Sequence, residues 1–92
     1  MPTKALIVDD EPDILELLDI TLSRMDVVCD CVANLAEARQ RLADNTYSLC
    51  LTDMRLPDGN GIDLVKHIQK HAPDMPVAVI TAHGNMDTAI TS

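Results

Sequence analysis

Three aspartates stand where short apolar runs stop. Asp9 and Asp10 follow Ala5-Leu6-Ile7-Val8, and Asp53 follows Leu49-Cys50-Leu51-Thr52. Thr81 closes Pro76-Val77-Ala78-Val79-Ile80 in the same way, with the small Ala82 behind it. Carboxylates brought together repel and raise one another's pKa unless a cation relieves them. Mg²⁺ suits such a set, because it is hard, seeks oxygen, and is held by one or two carboxylates while keeping water and phosphate oxygens as its other ligands. A carboxylate beside it can attack a phosphoryl group and become an aspartyl phosphate. A threonine hydroxyl can donate to a phosphoryl oxygen, and a small neighbour leaves room above it. Each piece has a plainer use, since aspartates after strands cap helices and turns. The weight lies in the set: an acidic pair, a lone aspartate and a strand-ending threonine, in that order.

The elements that position these residues alternate. After Asp9 and Asp10, Pro12 suits the first turn of a helix, and Ile14, Leu17, Leu18, Thr21, Leu22 and Met25 follow the helical period, with Asp13, Glu16 and Asp19 opposite. Val27–Val32 reads as a second strand, the most edge-like of the set because Asp30 points away from Cys29 and Cys31. Asn34 and Glu37 then form a capping pair for a helix with a Leu35, Ala38 and Leu42 stripe. A third strand ends at Asp53, and Met54–Gly61 is rich in turn residues, with Asn60 placed to cap a third helix. That helix carries Ile62, Val65, Ile68 and Ala72 and stops at Pro73. Pro76–Thr81 reads as a fourth strand, and Asn85 caps a last helix through Met86, Ala89 and Ile90. Repeated β-α units predict a parallel sheet covered on both faces. With the first and third strands side by side, Asp9, Asp10 and Asp53 converge at its carboxyl edge, where doubly wound folds bind ligands. The continuous apolar character of the fourth strand suits pairing on both sides, so the chain reads as a piece in which a fifth strand and helix are expected to follow.

Composition narrows the functions. The chain has 92 residues, room for one domain, and its 47% hydrophobic and 24% charged fractions are those of a globular protein. Seven Lys and Arg against fifteen Asp and Glu leave a net charge of −8, with no basic stripe for direct nucleic-acid binding. Tyr47 is the lone aromatic, which argues against a stacking platform. No apolar run is long enough to cross a membrane, the start lacks a signal peptide, and the expected location is cytoplasmic. Three cysteines cannot all pair within one chain, and Cys29, Cys31 and Cys50 are expected to be small core residues.

Ala5-Leu6-Ile7-Val8-Asp9-Asp10-Glu11-Pro12, Leu51-Thr52-Asp53-Met54-Arg55-Leu56-Pro57-Asp58-Gly59-Asn60-Gly61 and Val79-Ile80-Thr81-Ala82-His83-Gly84 together resemble the receiver domain of bacterial two-component response regulators. The resemblance covers the whole chain, residues 1–92, and Asp53-Met54-Arg55-Leu56-Pro57 is most similar to receivers of the NtrC class, activators of sigma-54 promoters. It implies a flavodoxin-like (CheY-like) doubly wound sheet of order 2-1-3-4-(5), interrupted here before the fifth strand. It also implies that Asp53 is the phosphoacceptor for a sensor histidine kinase. Asp10, Asp53 and the main-chain carbonyl of Arg55 would bind Mg²⁺ directly, Asp9 would act through water, and Thr81 would be the switch residue. Further implied partners are attached ATPase and DNA-binding domains outside this chain, and a homodimer. The family's phosphate-pairing lysine, at the end of a fifth strand, has no counterpart here, because Lys66 and Lys70 lie on the third helix.

Other features point less far. His67 and His71, four apart, offer a helical face two imidazoles but no third ligand, and their place in a last turn meets the helix dipole. His83 lies beside the expected phosphate in a loop. Gly59-Asn60-Gly61 lacks the spacing of a phosphate-cradling loop. Two rival functions fit less well. An aspartyl-phosphate phosphatase wants Asp-x-Asp after one strand, whereas Arg55 stands two residues after Asp53. A flavin carrier needs a hydroxyl-rich phosphate loop where this chain has Asp9-Asp10-Glu11. The expectation is a phospho-switch and not an enzyme.

Overall fold

The computed structural model describes residues 3–80; Thr81, Ala82, His83 and the helix expected from Asn85 lie outside the described residues. Strand β1 spans Thr3–Val8, helix α1 Pro12–Ser23, β2 Val27–Val32, α2 Leu35–Asp44 and β3 Leu49–Asp53. Two short strands follow, β4 at Arg55–Leu56 and β5 at Gly59–Asn60, then α3 at Gly61–His71 and β6 at Val77–Ile80. The main sheet is four-stranded in the order β2-β1-β3-β6, all parallel. This is the expected 2-1-3-4 order. The one addition is the antiparallel β4–β5 hairpin, where the sequence suggested only a turn.

Local chemistry fixes the helix starts. Pro12 opens α1, its missing N–H being one that a helix leaves unpaired in any case. The Asn34 side chain accepts from Glu37 N at 2.9 Å, and the Glu37 carboxylate reaches back to accept from Ala33 N at 3.3 Å. Asn60 accepts from Asp63 N at 3.0 Å, and Lys70 and His71 occupy the last turn of α3. Both caps fall where the sequence placed them.

The core lies between the sheet and α2–α3. Leu6 and Val8 of β1, Val32 of β2 and Cys50 of β3 pack with Leu35, Ala38, Leu64 and Ile68 of those helices. Each of the Leu, Ile and Val side chains there, fully withdrawn from water, contributes about 1.5–3 kcal/mol. Alternation turns Ala5 and Ile7 to the opposite face, level with Cys29 and Cys31, where α1 covers β1 and β2.

Three expectations about burial are corrected. The inward residues of α3 are Gly61, Leu64 and Ile68, while Ile62 is 41% exposed. The helix begins at Gly61 itself, and its buried stripe starts one position ahead of the expected one, with Gly61 and Leu64 inward in place of Ile62 and Val65, and meets it at Ile68. On α1 Leu17 is 60% exposed, Met25 lies beyond the helix and is 67% exposed, and Leu15 takes a half-buried place beside Ile14, Leu18 and Leu22. Of the cysteines only Cys50 is buried; Cys29 is half-buried and Cys31 exposed, because β2 is an edge of the described sheet.

Candidate functional site

The register sets the site. Val8 pairs with Thr52, so Asp9 and Asp53, one residue further along each strand, emerge side by side at the carboxyl edge. Asp10 follows. One carboxylate oxygen from each of Asp9, Asp10 and Asp53 lies within 4.8 Å of the other two. Asp9 is 1% and Asp53 6% exposed, while Asp10 is open to solvent. The three predicted acids are thus brought together. Arg55, two residues beyond Asp53, begins the β4–β5 hairpin.

Main-chain hydrogen bonds hold these acids in place. Asp9 N donates to Val32 O at 3.0 Å, and Asp9 Oδ1 accepts from Glu11 N at 2.9 Å. That second bond makes a turn just ahead of α1, whose N-cap residue Glu11 has no side-chain cap, so a turn role and the site role share one residue. Asp53 Oδ1 accepts from Met54 N at 2.8 Å, and Thr52 Oγ1 donates to Asp53 O at 3.0 Å. Gly61 N donates to Met54 O at 2.8 Å. A Cβ on Gly61 would fall against the Asp53 carbonyl oxygen, so only glycine lets α3 start this close to the site. Here the need for glycine is close approach, which a turn-rich sequence does not reveal.

The electrostatics are unrelieved. Burial pushes the Asp9 carboxyl up, the Glu11 amide partly offsets this, and the charges of Asp53, Asp10 and Glu11 push it up further. Among the described residues the one salt bridge is Lys4 with Asp30, at 3.5 Å, toward the start of β1 and away from these acids. Three carboxylates with no cationic partner among the described residues, two of them buried, form an all-oxygen donor set that fits a hard divalent ion. The thiols, the soft ligands, lie elsewhere.

A cavity of about 910 Å³ is lined by Leu42, Tyr47, Ile68 and Met75, at the far end of the sheet, with His67 and His71 on its wall. Their ring centroids lie 4.5 Å apart, with the planes tilted by 43°. This hollow carries no cluster of acids, whereas the carboxyl edge does. The sequence reading did not foresee the partner of Asp58. Its carboxylate, in the turn between β4 and β5, accepts from Leu35 N at 2.8 Å and Ala36 N at 3.0 Å. Pro57-Asp58-Gly59 signals a turn, and nothing local signals a partner more than twenty positions earlier.

A parallel sheet in this order, with an acidic pair after its central strand and a lone buried aspartate after the neighbouring one, is the architecture of a receiver. The family model for the response regulator receiver domain matches residues 5–92, and the chain belongs to that family. Within it the chain is 62% identical over 87 residues to the response regulator protein PilR of Pseudomonas aeruginosa, covering 95% of this chain and 20% of that protein. It is 34% identical over 86 residues to the DNA-binding transcriptional regulator NtrC of Escherichia coli, covering 94% of this chain and 18% of that protein. These relatives set it in the NtrC class, and it spans about a fifth of their length. Among solved structures, the beryllofluoride-activated NtrC4 receiver domain dimer superposes with a TM-score of 0.83 at 33% identity, covering 95% of this chain and 72% of that one. Response regulator TrrA of Thermotoga maritima, in complex with Mg²⁺ and beryllofluoride, gives 0.84 at 28% identity, covering 96% and 76%. Nothing in the fold or in these relatives favours the phosphatase alternative.

Proposed function

We propose that this chain is the phosphoacceptor unit of a two-component response regulator, with Asp53 as the group phosphorylated. A carboxylate oxygen of Asp53 attacks the phosphorus of a phosphohistidine in a sensor kinase. The new P–O bond forms as the P–N bond breaks, and the imidazole leaves. Asp53, Asp10 and the Arg55 carbonyl would hold Mg²⁺ directly and Asp9 through water. When bound, the ion offsets the charge of the carboxylates and of the phosphoryl oxygens. Asp9 and Asp53 are kept in place by their own strand ends and by the amides of Glu11 and Met54. Thr81 is proposed to donate to the phosphoryl group and to report its presence to the rest of the molecule.

The single observation that carries this reading is the convergence of three carboxylates within 4.8 Å at the carboxyl ends of β1 and β3. The chain's place in a family that includes NtrC supports it, as does the Mg²⁺ in the TrrA complex. By the same reading residues 1–92 belong to one receiver domain, with the fifth strand and its phosphate-pairing lysine expected beyond Ser92. The output is a sigma-54-dependent activator with ATPase and DNA-binding domains, working in the cytoplasm, and a receiver homodimer like that of NtrC4 is its paired form. No helix of the described residues is long and apolar enough to cross a membrane. The chain itself is a switch rather than an enzyme, with at most slow loss of its own phosphoryl group.

The test is intact mass after incubation with acetyl phosphate, with and without Mg²⁺. One phosphoryl adduct is expected, dependent on Mg²⁺ and absent in Asp53→Asn. Sustained turnover of p-nitrophenyl phosphate would restore the phosphatase reading.

A further inference from the structure

The loop that follows Asp53 is fastened at both ends, and one fastening comes from a distant helix. Its near end is held by Gly61 N on Met54 O at 2.8 Å. Its far end, the turn between β4 and β5, reaches the start of α2. There the two oxygens of Asp58 take the two amides that open the helix, Leu35 N on Oδ1 at 2.8 Å and Ala36 N on Oδ2 at 3.0 Å. Those amides have no partner inside the helix, and they sit at its positive end. Asn34 already takes the third, Glu37 N, so Asp58 completes the capping of the first turn.

Apolar packing follows the same path. Leu56 of the hairpin lies in the same buried cluster as Leu35. Gly59, at φ 155°, passes so near Leu35 Cδ1 that a Cβ there would overlap it. The hydrogen bonds hold the Asp58 carboxyl below the usual carboxylate range, with the charge of Arg39 adding a smaller effect in the same direction. Asp58 is therefore an anion at neutral pH and keeps both acceptors.

Arg55 lies between these two fastenings, and its carbonyl is a metal ligand in the reading proposed above, on which this inference rests. We infer that Asp58 is a positioning residue for the metal site: by tying the β4–β5 turn to the first turn of α2 it sets where the Arg55 carbonyl stands relative to Asp53 and Asp10. Groups that orient a metal's ligands without touching the metal typically contribute about 10–100-fold to affinity. Asp58 acts through the chain rather than directly on a ligand, so the low end, about tenfold, applies.

The experiment is Mg²⁺ titration by calorimetry on the natural full-length protein, comparing wild type, Asp58→Ala, Asp58→Asn and Asn34→Ala. Asn34→Ala is the control, because it removes a cap from the same helix end without touching the loop. Asp58→Ala is expected to weaken Mg²⁺ binding about tenfold, with the maximal rate of phosphoryl uptake from acetyl phosphate restored at saturating Mg²⁺. Asn34→Ala is expected to lower the unfolding temperature yet leave the Mg²⁺ affinity unchanged. Asp58→Asn, with one acceptor left, should fall between wild type and alanine, and it decides the matter if the alanine variant fails to fold. An unchanged affinity in the Asp58 variants, or an equal loss in Asn34→Ala, overturns the inference. A wild-type protein that binds no Mg²⁺ removes the proposed function and this inference together, so the two failures are distinguishable.

Discussion

Asp9 concentrates the conflict of the site in one side chain. It is 1% exposed and faces two other carboxylates, so its ionised form is disfavoured in the folded chain. For an acid whose folded pKa is raised, the favourable contribution is complete below about pH 4, where both folded and unfolded forms are protonated. It is lost as pH rises through the folded value. Asp9→Asn keeps an oxygen for the Glu11 amide and removes the charge. Without metal at pH 7 it is therefore expected to melt above wild type, by about 4–8 °C for each kcal/mol relieved. The gap should close toward pH 4. Thermal unfolding in EDTA across pH checks this, and a lower melting temperature at pH 7 contradicts it. The positions of these acids were legible in the sequence, because each stops an apolar run and the β-α alternation fixes where strands end. The burial of Asp9 and Asp53 was not, nor was the need for glycine at Gly61, which depends on how closely α3 approaches the end of β3. Gly61→Ala is expected to cost about 1–3 kcal/mol in urea unfolding, because its Cβ meets the Asp53 backbone rather than a yielding side chain.

Between elements, the outstanding polar link is Tyr47 with Asp30. The buried tyrosine donates to Asp30 Oδ2 at 2.7 Å, and Lys4 Nζ stands 3.5 Å from the same oxygen. This joins the edge strand β2 to the segment entering β3. The hydrogen bond from Tyr47, and then the charge of Lys4, hold the Asp30 carboxyl below its usual range. The stabilisation is present above about pH 4 and is lost as pH falls through the depressed folded value. Tyr47→Phe is expected to cost about 1–2 kcal/mol at pH 7 and less in acid, measured by urea unfolding at both pH values. A pH-independent loss would mean that ring packing, not the hydrogen bond, is what matters. The sequence marked the strand of Asp30 as edge-like but held no hint of that residue's partner, which is 17 positions away. The helix caps were legible because a cap and its amide lie three residues apart. The buried stripes of α1 and α3 were misread for a physical reason. Both helices carry apolar residues around much of their girth, so periodicity offers several faces and only the packed sheet chooses one. The β4–β5 hairpin escaped notice because two residues per strand leave no alternation to detect.

At the scale of the molecule, the order β2-β1-β3-β6 brings charge to one edge and leaves the opposite end to apolar packing. Folding without metal works against that concentration of charge, so a cation at the carboxylates should act as a stabiliser. A ligand that binds only the folded form adds about 2.7 kcal/mol at one hundred times its dissociation constant. Mg²⁺ is therefore expected to raise the melting temperature in a concentration-dependent way, and Asp10→Asn should remove most of the rise. An equal rise in that variant would mean that general ion effects are responsible. The fold was readable from residue order, because alternating short elements leave few right-handed topologies, and the family from the three stretches around Asp9, Asp53 and Thr81 that resemble receivers. What ties the loop after Asp53 to α2 needed coordinates. The central claim, that Asp53 accepts the phosphoryl group, is tested most directly by borohydride trapping. Incubation with Mg²⁺ and acetyl phosphate, reduction and peptide mass mapping should find homoserine in place of Asp53. Homoserine at another aspartate, or none in a chain that has bound Mg²⁺, would contradict the account.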